Sequence, residues 1–540
     1  MRMMRVMIAL ALVACGPGNR RDDGSGGGTD GNNGLGSGSG GIAKTCQEAQ
    51  DNHASVGCDY YAIDMDAAQG PPQDACFAVF IANTSDMPVH IDTSWMGMPI
   101  DMSKYAKLPL GQGQSLTYGN YDVTNGLPAG QVAILFLAYQ FQFMNVACPV
   151  PAAIGHGPQL SGTGKNWAFH ITTDNPVVAY QMLPYGGGAA AATGASLLLP
   201  TTAWDTSYIA ASAYDTAAPP IPVPQGPSHN VVAMEDNTTV TIYPKGSIDG
   251  GGGLGTGPAN QAYKVVLKAG EYLQLTQGTP LSGSKIAADK PVGTFGGHQI
   301  MSIDRCCGDH GEQMLAPVRA MGYQYVGAPH PDRKPVGLTD PRVYRIYGAV
   351  DGTQLTYEPA GLGPATINVG DQVEIRTDGA FVVTSQDSGH PFQIFTYMTG
   401  AGEMGEGGWG DPDFVRVPPP AQYMSHYVFF TDVTYPFTAL TVVRQANMGA
   451  FADVMLDCLG PVTGWQPVGT GGQYEIATVK LVDHWNAQGT CNNGVHNMTS
   501  TVPFGAWVWG WGSEDTSTGW VSYGYPAGEN VLPINDVIIQ

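Results

Sequence analysis

The sequence predicts an all-β protein made of repeated antiparallel β-sandwich-like modules of about 100–115 residues packed together, with a propeller-like ring of β-sheets as the alternative arrangement. Three observations predict it. The chain is heavily punctuated, with 74 Gly and 40 Pro, while charged residues make up 13% of it, about half the ~25% usual in soluble domains. Short runs of β-branched and aromatic residues bounded by Gly, Pro, Asn or Asp recur, and no long stretch keeps the i, i+3, i+4 apolar spacing of a helix. Segments also repeat in order along the chain. At 540 residues the protein exceeds the ~250–300 residues at which a single core stops growing, so several packing units are expected.

Taken from the N-terminus, Arg2 and Arg5 precede an apolar run from Val6 to Ala14 that is too short to span a bilayer, so residues 1–15 read as an export signal. Leu12-Val13-Ala14-Cys15 looks like a bacterial lipobox, which makes Cys15 the expected lipidation site. Residues 16–42 are Gly/Ser-rich, hold almost no apolar side chains and are expected to form a disordered tether. A first β module is expected over 43–165, with Cys46, Cys58, Cys76 and Cys148, and β repeats fill 166–540.

The repeats are read from matching segments. "TTDNPVVAYQM" (172–182) is answered by "AADKPVGTFGG" (287–297), with Pro176 and Pro291 about 115 positions apart. "LLLPTTAWDTSYIAA" (197–211) is answered by "MLAPVRAMGYQYVGA" (314–328), aligning Tyr208 with Tyr325. "EDNTTVTIYP" (235–244) matches "VDGTQLTYEP" (350–359), and "VVLKAGEYLQL" matches "ATINVGDQVEI". A weaker copy runs through "DSGHPFQIFTYMTG" and "VPPPAQYMSHYVFF", and "TVPFGAWVWGWG" (501–512) closes the series. The expected repeat units are about 166–286, 287–378 and 379–540. A residue before proline is driven to extended backbone, so each X-Pro marks a strand entrance. "DN" and "DG" before a β-branched run mark hairpins.

These segments carry a resemblance. "ADKPVGTFGGHQ" (288–299), "CGDHGEQMLAP" (307–317) and "HNVVAMEDNTTVTIYP" (229–244) resemble the N-terminal domain of IgG Fc-binding proteins, in the form found in exported lipoproteins of myxobacteria and related bacteria. The entry segment 57–88 and the exit segment 504–528 look similar too, so the resemblance spans roughly 45–535. It implies the β architecture and a binding or adhesion role. It supplies no binding residues, because function resides in sites rather than folds.

Candidate chemistry is sparse. No nucleophile elbow, zinc helix, dinucleotide loop or phosphate loop is present, so no enzyme and no cofactor are expected. A formal charge of -22 repels phosphate backbones, which excludes nucleic acid as a partner. Setting Cys15 aside leaves eight of the nine cysteines, an even count that favours disulfides in an exported chain. Proximity suggests Cys46–Cys58, Cys76–Cys148 and Cys458–Cys491, leaving the adjacent Cys306 and Cys307. That last pair sits in "RCCGDHGEQ" (305–313), where His298, Asp309, His310 and Glu312 offer metal-ligand types at a spacing that matches no zinc pattern. No metal is expected there. The segment reads as a loop-locking disulfide with Asp309, His310 and Glu312 in a polar turn. Weak binding candidates are Trp507, Trp509 and Trp511, which period two puts on one strand face, and Trp409 in the glycine-rich "GEGGWGDPDF". The expected protein is a non-catalytic, exported lipoprotein of the outer membrane or cell surface, anchored by lipid alone. Its role is binding or adhesion to an unknown surface, glycan or protein ligand. The alternatives are a structural envelope protein and, behind it, an extracytoplasmic hydrolase.

Overall fold

Four X-Pro strands organise the fold, and in three of them the proline lies between two halves of a long strand rather than at the expected entrance; only Pro391 precedes its strand. A computed structural model describes residues 43–187, 192–215, 226–305, 307–333 and 340–539. The expected signal, Cys15 and the whole of the expected tether lie outside these residues, as does Cys306. Residues 43–539 belong to one compact unit, and the strands within it pair antiparallel. The two α-helices, Cys46–Asn52 and Met102–Tyr105, are short. No helix among the described residues is long and apolar enough to cross a membrane.

The proline strands are Phe169–Leu183 with Pro176, Lys285–Ser302 with Pro291, Phe392–Met398 just after Pro391, and Gly494–Trp511 with Pro503. Each closes a module of the same plan. A lead strand pairs with the first half of the proline strand; in the third module that half is the separate strand Phe381–Thr384. The lead strands are Gly57–Ala62, Asp205–Ile209, Gln324–Gly327 and Met424–Thr431. A second strand, Phe77–Asn83, Pro227–Ala233, Val343–Gly348 or Phe437–Asn447, pairs with the second half. The expected alternation of strands and tight turns is what the chain forms.

One tyrosine per module fixes the lead strand to the proline strand. Tyr60 donates its hydroxyl to the carbonyl of Val177 at 2.7 Å, Tyr208 to Val292 at 2.7 Å, and Tyr325 to Phe392 at 2.6 Å. Tyr427 does the same to Phe504. In every case the acceptor is the residue immediately after the proline. All four rings are buried, so these hydroxyls satisfy carbonyls that water cannot reach.

After each proline strand the chain runs into an axial strand paired along it: Gly194–Leu198, Gly308–Met314, Asp413–Val417 and Ser522–Pro526. Three of them continue into a single 3₁₀ turn opened by Pro200, Pro317 or Pro419, which delivers the next lead strand. The first and second axial strands lie against each other, as do the second and third, the third and fourth, and the fourth and first. The four modules therefore close into a ring. Hydrophobic packing follows the same order, with one core between modules one and two, one between two and three, one between three and four, and one between four and one. In the closing core Phe80 meets Phe430 with ring centroids 4.9 Å apart, and Tyr180 meets Tyr525 at 4.5 Å. Sandwich-like modules thus pack in the ring that the alternative expectation described.

Candidate functional site

The chemistry-bearing segment of the sequence is an axial strand. Gly308–Met314 runs through Asp309, His310 and Glu312, and all seven residues are buried. This corrects the expected polar turn. Closing four modules brings four strands to one axis, where some polar side chains are satisfied across strands, while both ring nitrogens of His310, Glu312 Oε1 and Asp413 Oδ2 have no partner among the described residues. Asp309 accepts from the Ser522 backbone N–H at 3.2 Å and from the backbone N–H of Thr193, one residue on the fourth axial strand and one leading into the first. Gln181 Nε2 donates to Glu312 Oε2 at 2.6 Å, and Gln313 Nε2 reaches the carbonyls of Ala195 and Gly524 at 2.8 and 2.9 Å. Arg416 forms a buried two-point pair with Glu529 and donates to the Met314 carbonyl at 3.1 Å. Glycine lets the strands approach: a Cβ on Gly194 would lie 2.8 Å from the His310 carbonyl oxygen.

Burial sets the protonation of this axis. Desolvation pushes the carboxyls of Asp309, Glu312 and Asp413 well above the usual range, and that of Asp411 up to about 7. Loss of hydration lowers His298 to about 3 and His310 to about 4, so both imidazoles are neutral. The carboxyls of Asp309 and Glu312 link neighbouring elements, whereas both ring nitrogens of His310 and the Nε2 of His298 are buried without a partner among the described residues. Among the described residues they do not bring three ligand atoms to one point. The grouping that does, Asp457 with Cys458 and His496, offers no thiolate, because Cys458 is bonded to Cys491.

The cysteines pair locally. Cys46 is bonded to Cys58, Cys76 to Cys148 and Cys458 to Cys491. Cys307 is disulfide-bonded as well, with its partner outside the described residues, and its N–H donates to Asp411 Oδ1 at 3.2 Å.

The aromatic candidates are not surface groups. Trp507, Trp509 and Trp511 are 1%, 1% and 3% exposed and share the core between the third and fourth modules. The second half of their proline strand has neighbours on both edges, Phe437–Asn447 and Ser522–Pro526, and its face is covered. They form no platform. Trp409 is half-buried against Phe437 and His484, and its loop is stitched down by the N–H groups of Glu514 and Trp520 donating to the Gly407 and Gly408 carbonyls at 2.8 and 3.0 Å. The glycine-rich segment that carries Trp409 is a connection tied to the fourth module.

Exposed large apolar side chains occur on several modules, Met448, Leu459 and Trp520 on the fourth among them, and three lie together on one turn of the first module. The turn Gln140–Val146 exposes Phe141 (77%), Phe143 (83%) and Met144 (66%). The turn is held rigidly beneath them: Gln142 N–H donates to Asn145 Oδ1 at 3.2 Å, Asn145 Nδ2 to the Gln140 carbonyl at 2.7 Å, and Gln142 Nε2 to Asp74 Oδ2 at 3.1 Å. Asn145 Nδ2 also reaches the Gln73 carbonyl at 2.9 Å. Gln73 lines a cleft of about 410 Å³ between the first two modules. Sequence reasoning missed both features. The one available signal was "FQFM" (141–144), apolar residues clustered beside a cysteine where alternation with a buried face fails.

The profile of the family described as IgGFc binding protein matches residues 194–510, from the first axial strand to the proline strand of the fourth module. The chain belongs to this family. The human IgGFc-binding protein is 27% identical over 319 residues, which is 58% of this chain and 5% of that relative. This member of the IgGFc-binding family therefore spans a small part of the curated relative it matches. No solved structure matches it.

Proposed function

We propose that this IgGFc-binding family member is a non-catalytic binding protein of the cell surface, exported, anchored through a lipidated Cys15, and holding its β ring away from the membrane on the tether 16–42. Disulfides support an oxidising compartment. Membership of a family named for binding supports the role.

The observation that carries the reading is the turn bearing Phe141, Phe143 and Met144. Three large apolar side chains held rigidly in water are costly to a monomer unless something covers them, and a rigid anchor loses little entropy on association. The first two modules are thus the face that meets the ligand. The relative's name offers immunoglobulin Fc as one candidate to test. The decisive comparison is retention of the body from residue 43, wild type against Phe141→Ser/Phe143→Ser, on intact cells and on immobilised Fc. Wild type should be retained and the variant weakened at least tenfold with its melting temperature unchanged, since exposed substitutions shift stability by under ~0.5 kcal/mol. Equal retention of the two, or none by either, would contradict the reading.

A further inference from the structure

The cleft beside that turn has a chemistry of its own. Its first-module side presents Gln69, Gln73 and Ser161, and its second-module side Asp249, Thr276 and Gln299. At about 410 Å³ it falls in the ~300–1,000 Å³ range of small-molecule sites. No Lys, Arg or His lines it, so nothing there attracts an anion. Carboxamides and hydroxyls dominate, so an apolar ligand would strand them unpaired.

The cleft is rigid where it needs to be and open where a ligand would bind. Gln299 accepts from the Gly226 N–H at 3.0 Å, which fixes its carbonyl, and its side chain also faces the Asp66 carboxyl. Gln277 anchors the floor through Nε2 bonds to the Ser247 and Thr279 carbonyls at 2.7 and 3.0 Å, and accepts from the Asp249 N–H at 3.1 Å. Among the described residues, the side chains of Gln69, Gln73, Ser161 and Asp249 have no hydrogen-bond partner. Behind them lies Asp66, fully buried, next to Gln299 and Thr276. Its Oδ2 accepts from the Gly162 N–H at 2.8 Å, while its Oδ1 and the Thr276 Oγ1 are buried and unpartnered. A buried polar atom without a partner marks where a ligand or water belongs.

We propose that this cleft binds an uncharged oligosaccharide, a ligand class that rests on the binding function proposed above. Carboxamides and a carboxylate each offer paired sites that match vicinal hydroxyls, and a sugar supplies both donors and acceptors to such a wall. Phe141 and Phe143, on the turn tied to Gln73, offer aromatic faces for the C–H side of sugar rings.

The test is titration of the purified full-length protein with a panel of uncharged gluco-, manno-, galacto- and N-acetylglucosamine oligomers, alongside a sulfated oligosaccharide and immobilised Fc. At least one uncharged oligomer should bind, the sulfated one should not, and Gln73→Ala and Asp249→Ala should each weaken binding at least tenfold with an unchanged melting temperature. Three results overturn the inference. If cells or Fc are bound but no uncharged oligomer is, the sugar class fails and the binding function stands. If Gln73→Ala abolishes Fc binding instead, the cleft is a protein site. If nothing at all is bound, both readings fail together.

Discussion

Burial raises the carboxyls of Asp309 and Glu312 well above the usual range, and that direction gives the molecule a distinctive response to pH. Burial raises Asp64, Asp309, Glu312 and Asp413 well above the carboxylate range, Asp66 and Asp411 to about 7, and Asp432 to about 6. A carboxyl that binds its proton more tightly when folded contributes stability that is complete below its unfolded value, ~4, and is lost as pH rises through the folded value. Buried His229, His298 and His310, lowered by desolvation to about 4, 3 and 4, act oppositely and lose stability as pH falls below ~6.5. Above pH ~6.5 those imidazoles no longer change, and the raised carboxyls contribute together with His90, which its bond to Asp174 raises and which acts in the same direction. The melting temperature should therefore fall, by calorimetry, as pH rises from about 6.5 through the folded values of about 7 at Asp66 and Asp411, and Asp309→Asn should flatten the slope. A melting temperature that is level or rising over that interval would count against neutral buried acids. None of this was legible in "RCCGDHGEQ". Charged types usually mark exposed loops, and the groups that bury this cluster, Thr193, Gln181 and Ser522, lie more than a hundred residues away in sequence.

The tyrosine-to-proline-strand bond is the element that defines a module. Tyr208→Phe leaves the Val292 carbonyl buried without its donor, a loss of about 1–3 kcal/mol. Tyr325→Phe should cost a similar amount at Phe392. Urea unfolding midpoints measure both, and a pair of neutral substitutions would remove these bonds from the account. The two tyrosines and the prolines they serve were legible as aligned repeats because both middle modules keep the same order of turns. The outer copies were harder. Tyr60 and Tyr427 carry the same bond, but the first module inserts long connections between its strands, and a cyclic repeat has no unique start. Beginning each unit at its X-Pro motif puts the proline strand first, whereas the antiparallel pairing makes it the strand that completes the sheet. The burial of Trp507, Trp509 and Trp511 was also illegible, since period two places them on one face without saying what covers it.

At the scale of the whole molecule, the ring is locked by its last residues. Val531 N–H donates to the His53 carbonyl at 2.6 Å, Asn530 Nδ2 to Tyr423, Asn535 Nδ2 to the Val318 and Met321 carbonyls, and Ile539 N–H to Ser207 Oγ at 2.9 Å. These contacts lie at the starts of all four modules. Glu529 completes the buried pair with Arg416, and Glu529→Ala should destabilise the protein by ~3–5 kcal/mol because it leaves a buried cation uncompensated; a shift below ~1 kcal/mol in the unfolding midpoint would argue against that lock. Axis and C-terminal segment hold the ring together, and the proposed binding face lies on the first two modules. The most direct measurement is ligand retention by two sets of variants compared at equal folded concentration. Phe141→Ser/Phe143→Ser should lose binding while keeping its melting temperature. Glu312→Gln, at the axis, should change stability while its folded fraction binds like wild type. Loss of binding in folded Glu312→Gln with full binding in the turn variant would contradict the account and return the function to the axis.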